Sequence, residues 1–170
     1  MKIEVLRLNH RISRDKRIST HVCLTARAFG ASKIYYSGQK DSNLEDSVNK
    51  INKKFGGKCE IKHIQEEKKL IKEKKKDGFL IVHLTMYGKD FKEFTTKDKN
   101  ILIIVGGEKV EPEFYDLADF NLSITNQPIS EVSALGIFMY KNFDYNENFP
   151  DAEVKVIGKE KGKLLKQLKP

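Results

Sequence analysis

No stretch of the 170 residues holds the run of about 18 apolar side chains that a membrane-spanning helix requires. The opening MKIEVLRLNH alternates in polarity and lacks the continuous apolar core of a signal peptide, so a cytoplasmic protein with no membrane partner is expected. Cysteine is scarce. Cys23 and Cys59 stand far apart with no partner at metal-ligand spacing, which argues against both a disulfide framework and a metal site. The phosphate-binding patterns GxxxxGK[ST] and GxGxxG are absent. There is no Ser-His-Asp order, no pair of catalytic carboxylates and no cysteine in an evident electropositive setting. Acidic residues are outnumbered, 24 against 32 Lys and Arg, leaving a net charge of +8. That excess suggests a polyanionic partner, because each phosphate that is neutralised releases condensed counterions. A generally basic proteome is the plain alternative. A membrane surface would want a basic amphipathic helix with a bulky apolar face, and no segment suits that as well as the chain suits nucleic acid.

What is present is ordinary globular material, 39% hydrophobic and 9% aromatic. The length fits one domain, read as residues 1–150, followed by an extension over 151–170 of different composition. Alternating or unbroken apolar runs predict strands at 2–8, 33–37, 59–64, 79–88, 100–107 and 119–124. Leu44, Val48, Ile51 and Phe55 share one face of a helix that Gly56 and Gly57 stop. Further helices are predicted at 66–78, at 129–141 with Pro128 opening it, and over the segment ending at Gly30. The cationic segment 9–20 is read as a connection, and the tail as a strand, a Gly-Lys turn and a frayed helix. Strands separated by helices predict an α/β fold, a mostly parallel sheet covered on both faces. Ligands of such sheets sit outside the carboxyl ends of the strands, here the loops after Leu84, Val105 and Ile124.

Gly106 and Gly107 let a backbone turn tightly near a ligand, though a Gly-Gly after a strand is more often a plain turn. His83 reads as a hydrogen-bonded structural histidine. Thr125, Asn126, Gln127, Ser130, Glu131 and Ser133 crowd a helix N-terminus whose free amides suit an anion or carbonyl. Arg7, Arg11, Arg14, Lys16 and Arg17 are opposed only by Asp15, and the planar arginine fork suits phosphate.

Four ordered blocks, NHRISRDKRISTHVCLTARAFGA, VHLTMYG, IIVGGEKV and ITNQPISEVSAL, resemble the archaeal tRNA (cytidine-56) 2′-O-ribose methyltransferases of the SPOUT superfamily. The resemblance covers residues 3 to about 140. It implies a deep C-terminal trefoil knot, an exception to the rule against knots. It also implies a homodimer, a tRNA substrate, no metal, and S-adenosyl-L-methionine held by Leu84, Gly106, Gly107, Glu108, Lys109, Val110, Ile124, Thr125, Asn126, Gln127, Pro128, Ile129, Ser130 and Glu131. Asn126 and Ser130 are the polar contacts, and Glu108 faces the methionine amino group, the partner subunit or its own turn. The cations Arg7, Arg11, Arg14, Lys16 and Arg17 would bind RNA. The wider superfamily activates the ribose hydroxyl with an arginine of its first motif. Counted back from Gly30, that spacing puts Leu24 at the arginine and Ile18 at the asparagine position. The role then passes to Arg17, with Arg14 second and Arg27 third. A related enzyme acting on another RNA position and a non-catalytic RNA-binding α/β protein are the alternatives.

Overall fold

A computed structural model describes residues 1–96, 98–107, 109–145 and 148–168. Strands β1 (Ile3–His10), β2 (Lys33–Gly38), β3 (Glu60–His63), β4 (Leu80–Asp90), β5 (Ile101–Val105) and β6 (Phe120–Ser123) form one sheet in the order β3-β2-β1-β5-β4-β6. Every described pairing in it is parallel. Helices α1 (Ile12–Ala28), α2 (Ser42–Phe55), α3 (Glu67–Lys76), α4 (Pro112–Leu117) and α5 (Glu131–Asn142) connect the strands.

The pleat sorts the core into two layers. Ile3, Val5, Ile101, Ile103 and Val105 point to one face and pack with Val22, Cys23, Leu44, Val48, Leu135 and Phe138 of α1, α2 and α5. Leu6, Leu8, Leu102 and Ile104 point to the other and pack with Ile71 of α3 and Phe114 of α4. Covered on both sides, β5 is buried at every residue, which is why it reads as an unbroken apolar run.

Two elements differ from the sequence expectation. The cationic segment is not a connection: α1 begins at Ile12. Asp15 accepts the Arg11 backbone N–H and closes the first turn. The cations Arg14, Lys16 and Arg17 face solvent while Ser19, Val22, Cys23 and Ala26 are buried. The tail ends in a strand instead of a frayed helix. β7 (Val154–Ile157) pairs antiparallel with β8 (Leu164–Gln167). The pairing satisfies backbone groups that so short an isolated helix would leave frayed. The hairpin docks on the rest through Glu153 N–H donating to Lys54 O at 3.1 Å and Gly57 N–H donating to Asp151 Oδ1 at 3.1 Å. Pro128 stands ahead of α5, whose N-cap is Ser130, accepting from Val132 N–H at 3.2 Å.

The corner after β1 is tightly specified. Asn9 takes a left-handed φ of 57°, which asparagine tolerates better than most residues. Gly38, with φ 90°, lies where any Cβ would collide with the His10 backbone. His10 itself is buried, its Nδ1 2.8 Å from Ser19 Oγ and its Nε2 3.2 Å from Asp41 Oδ2. Asp41 also caps α2, accepting from Asn43 N–H at 3.0 Å. One buried network therefore fixes β1, α1 and α2 at the carboxyl end of the sheet.

Candidate functional site

The carboxyl ends of β5 and β6 and the middle of β4, from His83 to Tyr87, open onto a cavity of about 480 Å³. Of the residues expected there, Leu84, Gly106, Gly107, Lys109, Val110, Ile124, Thr125, Ile129 and Glu131 line it. Asn126, Gln127, Pro128 and Ser130 are exposed in the adjoining loop and do not. Asn126 instead ties the loop after β6 to β4, its Nδ2 donating to Met86 O at 2.7 Å and to Gly88 O at 3.2 Å. Glu108 lies outside the described residues.

Sequence reading missed Tyr115, whereas His83 is the hydrogen-bonded, buried histidine that it expected. Both line the cavity, ring edge against ring face at 4.8 Å. His83 Nδ1 lies 2.9 Å from Asn121 Oδ1, which places the proton on Nδ1. Burial pushes the His83 pKa down, against the pull of the Asn121 hydrogen bond, so the ring is neutral near pH 7. Thr85 Oγ1 is 3.3 Å from the Tyr115 hydroxyl. Nothing in the sequence marked Tyr115, because its helix α4 is short and only the fold turns it toward β4.

A second, polar cavity of about 440 Å³ lies across the loop after β5. Asn9, Arg11, Arg14, Gly107 and Lys109 line it, so Gly107 and Lys109 border both cavities. Arg11 is clamped by Asp15, Nε to Oδ2 at 2.8 Å and Nη2 to Oδ1 at 3.1 Å. Lys16 and Arg17 are exposed on α1, and Arg17 lines neither cavity.

Arg7 corrects the sequence expectation. It is fully buried and takes no part in the exposed cationic face. The pleat that buries Ile3 and Val5 carries Arg7 inward toward α5 as well. Its Nη1 donates to Leu8 O at 2.6 Å, and its Nη2 lies 3.1 Å from Glu131 Oε1. Counting alternate positions along a strand buried on both faces would have found this. Arg27 is also spent elsewhere: it donates through Nε to Gly56 O at 3.1 Å and stacks on Phe149, toward the tail hairpin.

Among the described residues no cluster of three or more His, Cys, Asp and Glu side chains is placed to hold a metal ion, and no helix is long and apolar enough to cross a membrane.

Residues 55–166 match the family tRNA ribose 2′-O-methyltransferase, aTrm56. A tRNA (cytidine(56)-2′-O)-methyltransferase of Methanocaldococcus jannaschii is 47% identical over 97% of this chain and 96% of its own. One of Methanosphaera stadtmanae is 50% identical over 85% of each chain. The chain belongs to the tRNA ribose 2′-O-methyltransferase family. Solved structures agree on the fold of this methyltransferase. The SpoU methyltransferase AviRb of Streptomyces viridochromogenes in complex with AdoMet superposes with a TM-score of 0.63 at 17% identity, over 82% of this chain and 56% of that one. The A. aeolicus TrmH/SpoU tRNA modifying enzyme superposes with 0.62 at 21% identity, over 82% and 73%.

Proposed function

We propose that this methyltransferase moves the methyl group of S-adenosyl-L-methionine to the ribose 2′-hydroxyl of cytidine 56 in the T-loop of tRNA. The observation that carries the reading is the shared wall: Gly107 and Lys109 separate an amphipathic strand-end cavity from a cavity rimmed by Arg11 and Arg14. The first has the size and mixed lining of a small-molecule site. Leu84, Val105, Leu122 and Ile124 supply an apolar wall, and Thr125, Glu131 and Lys109 supply polar ends. Gly106 leaves no room for a side chain, since a Cβ there would overlap Val110. The second cavity has the cations that a phosphodiester demands.

S-adenosyl-L-methionine would supply an activated methyl group on a sulfonium. The loops 106–110 and 124–131 would hold it through backbone amides, with Asn126 keeping the second loop against β4. A ribose hydroxyl is a poor nucleophile until its proton is lost or shared. We assign to Arg14, which lines the RNA-facing cavity, the stabilisation of the charge that develops on the 2′-oxygen. Arg17, further along α1 and lining neither cavity, would contact a phosphate, so this reading sets Arg14 ahead of the Arg17 that the sequence put first. Arg11 and Lys16 extend the RNA-binding face.

The further features belong to the same reading. Residues 1–150 would form the methyltransferase unit and 151–170 an extension, in a cytoplasmic homodimer. A trefoil knot in the C-terminal part is supported by the strand order β5-β4-β6 and by the packing of Gly88 directly on the Asn121–Leu122 backbone.

Labelled S-adenosyl-L-methionine and an unmodified tRNA transcript test the reading. Label should enter the tRNA, and Arg14→Ala should abolish transfer while sparing donor binding. Near-normal turnover in Arg14→Ala would overturn the arginine assignment.

A further inference from the structure

Glu131 is the one carboxylate among the described residues that line the strand-end cavity. Its side chain is 23% exposed, whereas its partner Arg7 is 0% exposed. The negative end of the pair therefore faces the cavity, and the positive end lies beneath the loop after β5. Arg7 has little freedom to move. Its Nη1 is tied to Leu8 O at 2.6 Å, and a Cβ on Gly107 would stand 3.3 Å from that same nitrogen. Arg7 Nε and Nη2 make no hydrogen bond within the described structure, so the contact to Glu131 at 3.1 Å is its main compensation for burial.

The location of the pair matters. Gly107 borders both cavities, so a methyl group passing from donor to RNA crosses at that wall. On the proposed reading the donor's reactive end would face the Gly107 side of the cavity, which Arg7 and Glu131 border. In the transfer the S–CH₃ bond breaks, an O–CH₃ bond forms and the hydroxyl proton departs to solvent. The sulfonium, charged +1, becomes the neutral thioether of S-adenosylhomocysteine. A carboxylate near the sulfur attracts the donor and has no such hold on the product.

We infer that Glu131 makes the cavity selective for a cationic sulfur centre over its neutral product, and that Arg7 is the positioning residue that holds the Glu131 carboxylate in place. The inference rests on the reading that this cavity takes S-adenosyl-L-methionine. Its consequence is functional: the spent cofactor leaves more easily than the donor, which limits product inhibition.

Calorimetric titration of the whole protein with three ligands tests it. These are S-adenosyl-L-methionine, S-adenosylhomocysteine and sinefungin, whose cationic amine stands in for the sulfonium. In Glu131→Gln the preference for donor over product should fall on the order of tenfold, with sinefungin following the donor. Glu131→Asp should keep most of the preference. Arg7→Met should lose it as the stranded carboxylate turns away, and Arg7→Lys should restore part of it. If Glu131→Gln does not fold because it strands a buried guanidinium, the double variant Arg7→Met/Glu131→Gln carries the test. That variant removes both buried charges, and it should fold and lack the preference. Equal weakening of all three ligands would reduce the pair to a structural role and overturn the inference, as would an unchanged preference in every variant. If the unsubstituted protein binds none of the three, the cofactor reading falls and takes the inference with it.

Discussion

Asp15 grips Arg11 twice through the side chain, at 2.8 Å and 3.1 Å, and once through its backbone N–H at 3.1 Å. A flexible cation is thereby fixed on the rim of the polar cavity, so less entropy is lost when a phosphate arrives. The Arg11 hydrogen bonds hold the Asp15 pKa below its ordinary 3.8, and burial works against them. A depressed carboxyl stabilises the fold above the ordinary carboxyl range, and that contribution is lost as pH falls through its lowered pKa. Asp15→Asn should lower the melting temperature at pH 7 and weaken tRNA binding several-fold. The gap in melting temperature from the unsubstituted protein should close in acid. A gap that persists unchanged well below pH 3.8 would contradict the assignment.

Gly106→Ala tests the donor cavity. The added methyl would meet Val110 Cγ2, a β-branched side chain with little room to swing. Donor affinity should fall about tenfold or more, a difference of about 1.4 kcal/mol. The fold should survive, because Gly106 is only half-buried. Circular dichroism and calorimetry together check both halves of this statement.

The buried network at His10 should be costly to break. His10→Ala leaves Asp41 Oδ2 and Ser19 Oγ without their imidazole partner in residues only 0–2% exposed, at about 2–3 kcal/mol in urea unfolding. Ser19→Ala, which removes one contact only, should cost less. Asp41→Ala should cost at least as much as His10→Ala, because it also uncaps α2. Equal effects for all three would show that packing, and not the network, matters here.

Salt titration separates the arginines. Arg14 is exposed on the polar cavity, so Arg14→Ala should reduce the slope of log K against log salt by about one. Arg7 is buried, so Arg7→Met should leave the slope unchanged. A loss of slope on replacing Arg7 would return it to the RNA face.

The sheet was legible because burial on both faces writes itself into β4 and β5 as unbroken apolar runs, and α2 because Leu44 and Val48 keep one face between a capping Asp41 and Gly56. The strand-end cavity followed from the general geometry of parallel sheets. Three things were hidden. The start of α1 lay inside a run of charge, where apolar periodicity has nothing to report. The burial of Arg7 was masked by its membership in an arginine cluster, although strand parity pointed inward. β8 was hidden because Leu164 and Leu165 suit a helix or a strand equally, and only pairing with β7 decides. The approach of α1 to the loop after β5, which sets the two cavities side by side, is a tertiary relation that no local pattern encodes.

The most direct measurement of all is the position of the methyl mark. An unmodified tRNA transcript is incubated with the protein and labelled S-adenosyl-L-methionine, and the modified nucleotide is mapped. A single 2′-O-methyl group on cytidine 56 is expected, lost when that nucleotide is supplied as its 2′-deoxy form. A methyl group on a base or at another nucleotide would contradict the proposed target. No transfer at all, with no donor binding, would leave an RNA-binding protein without the chemistry.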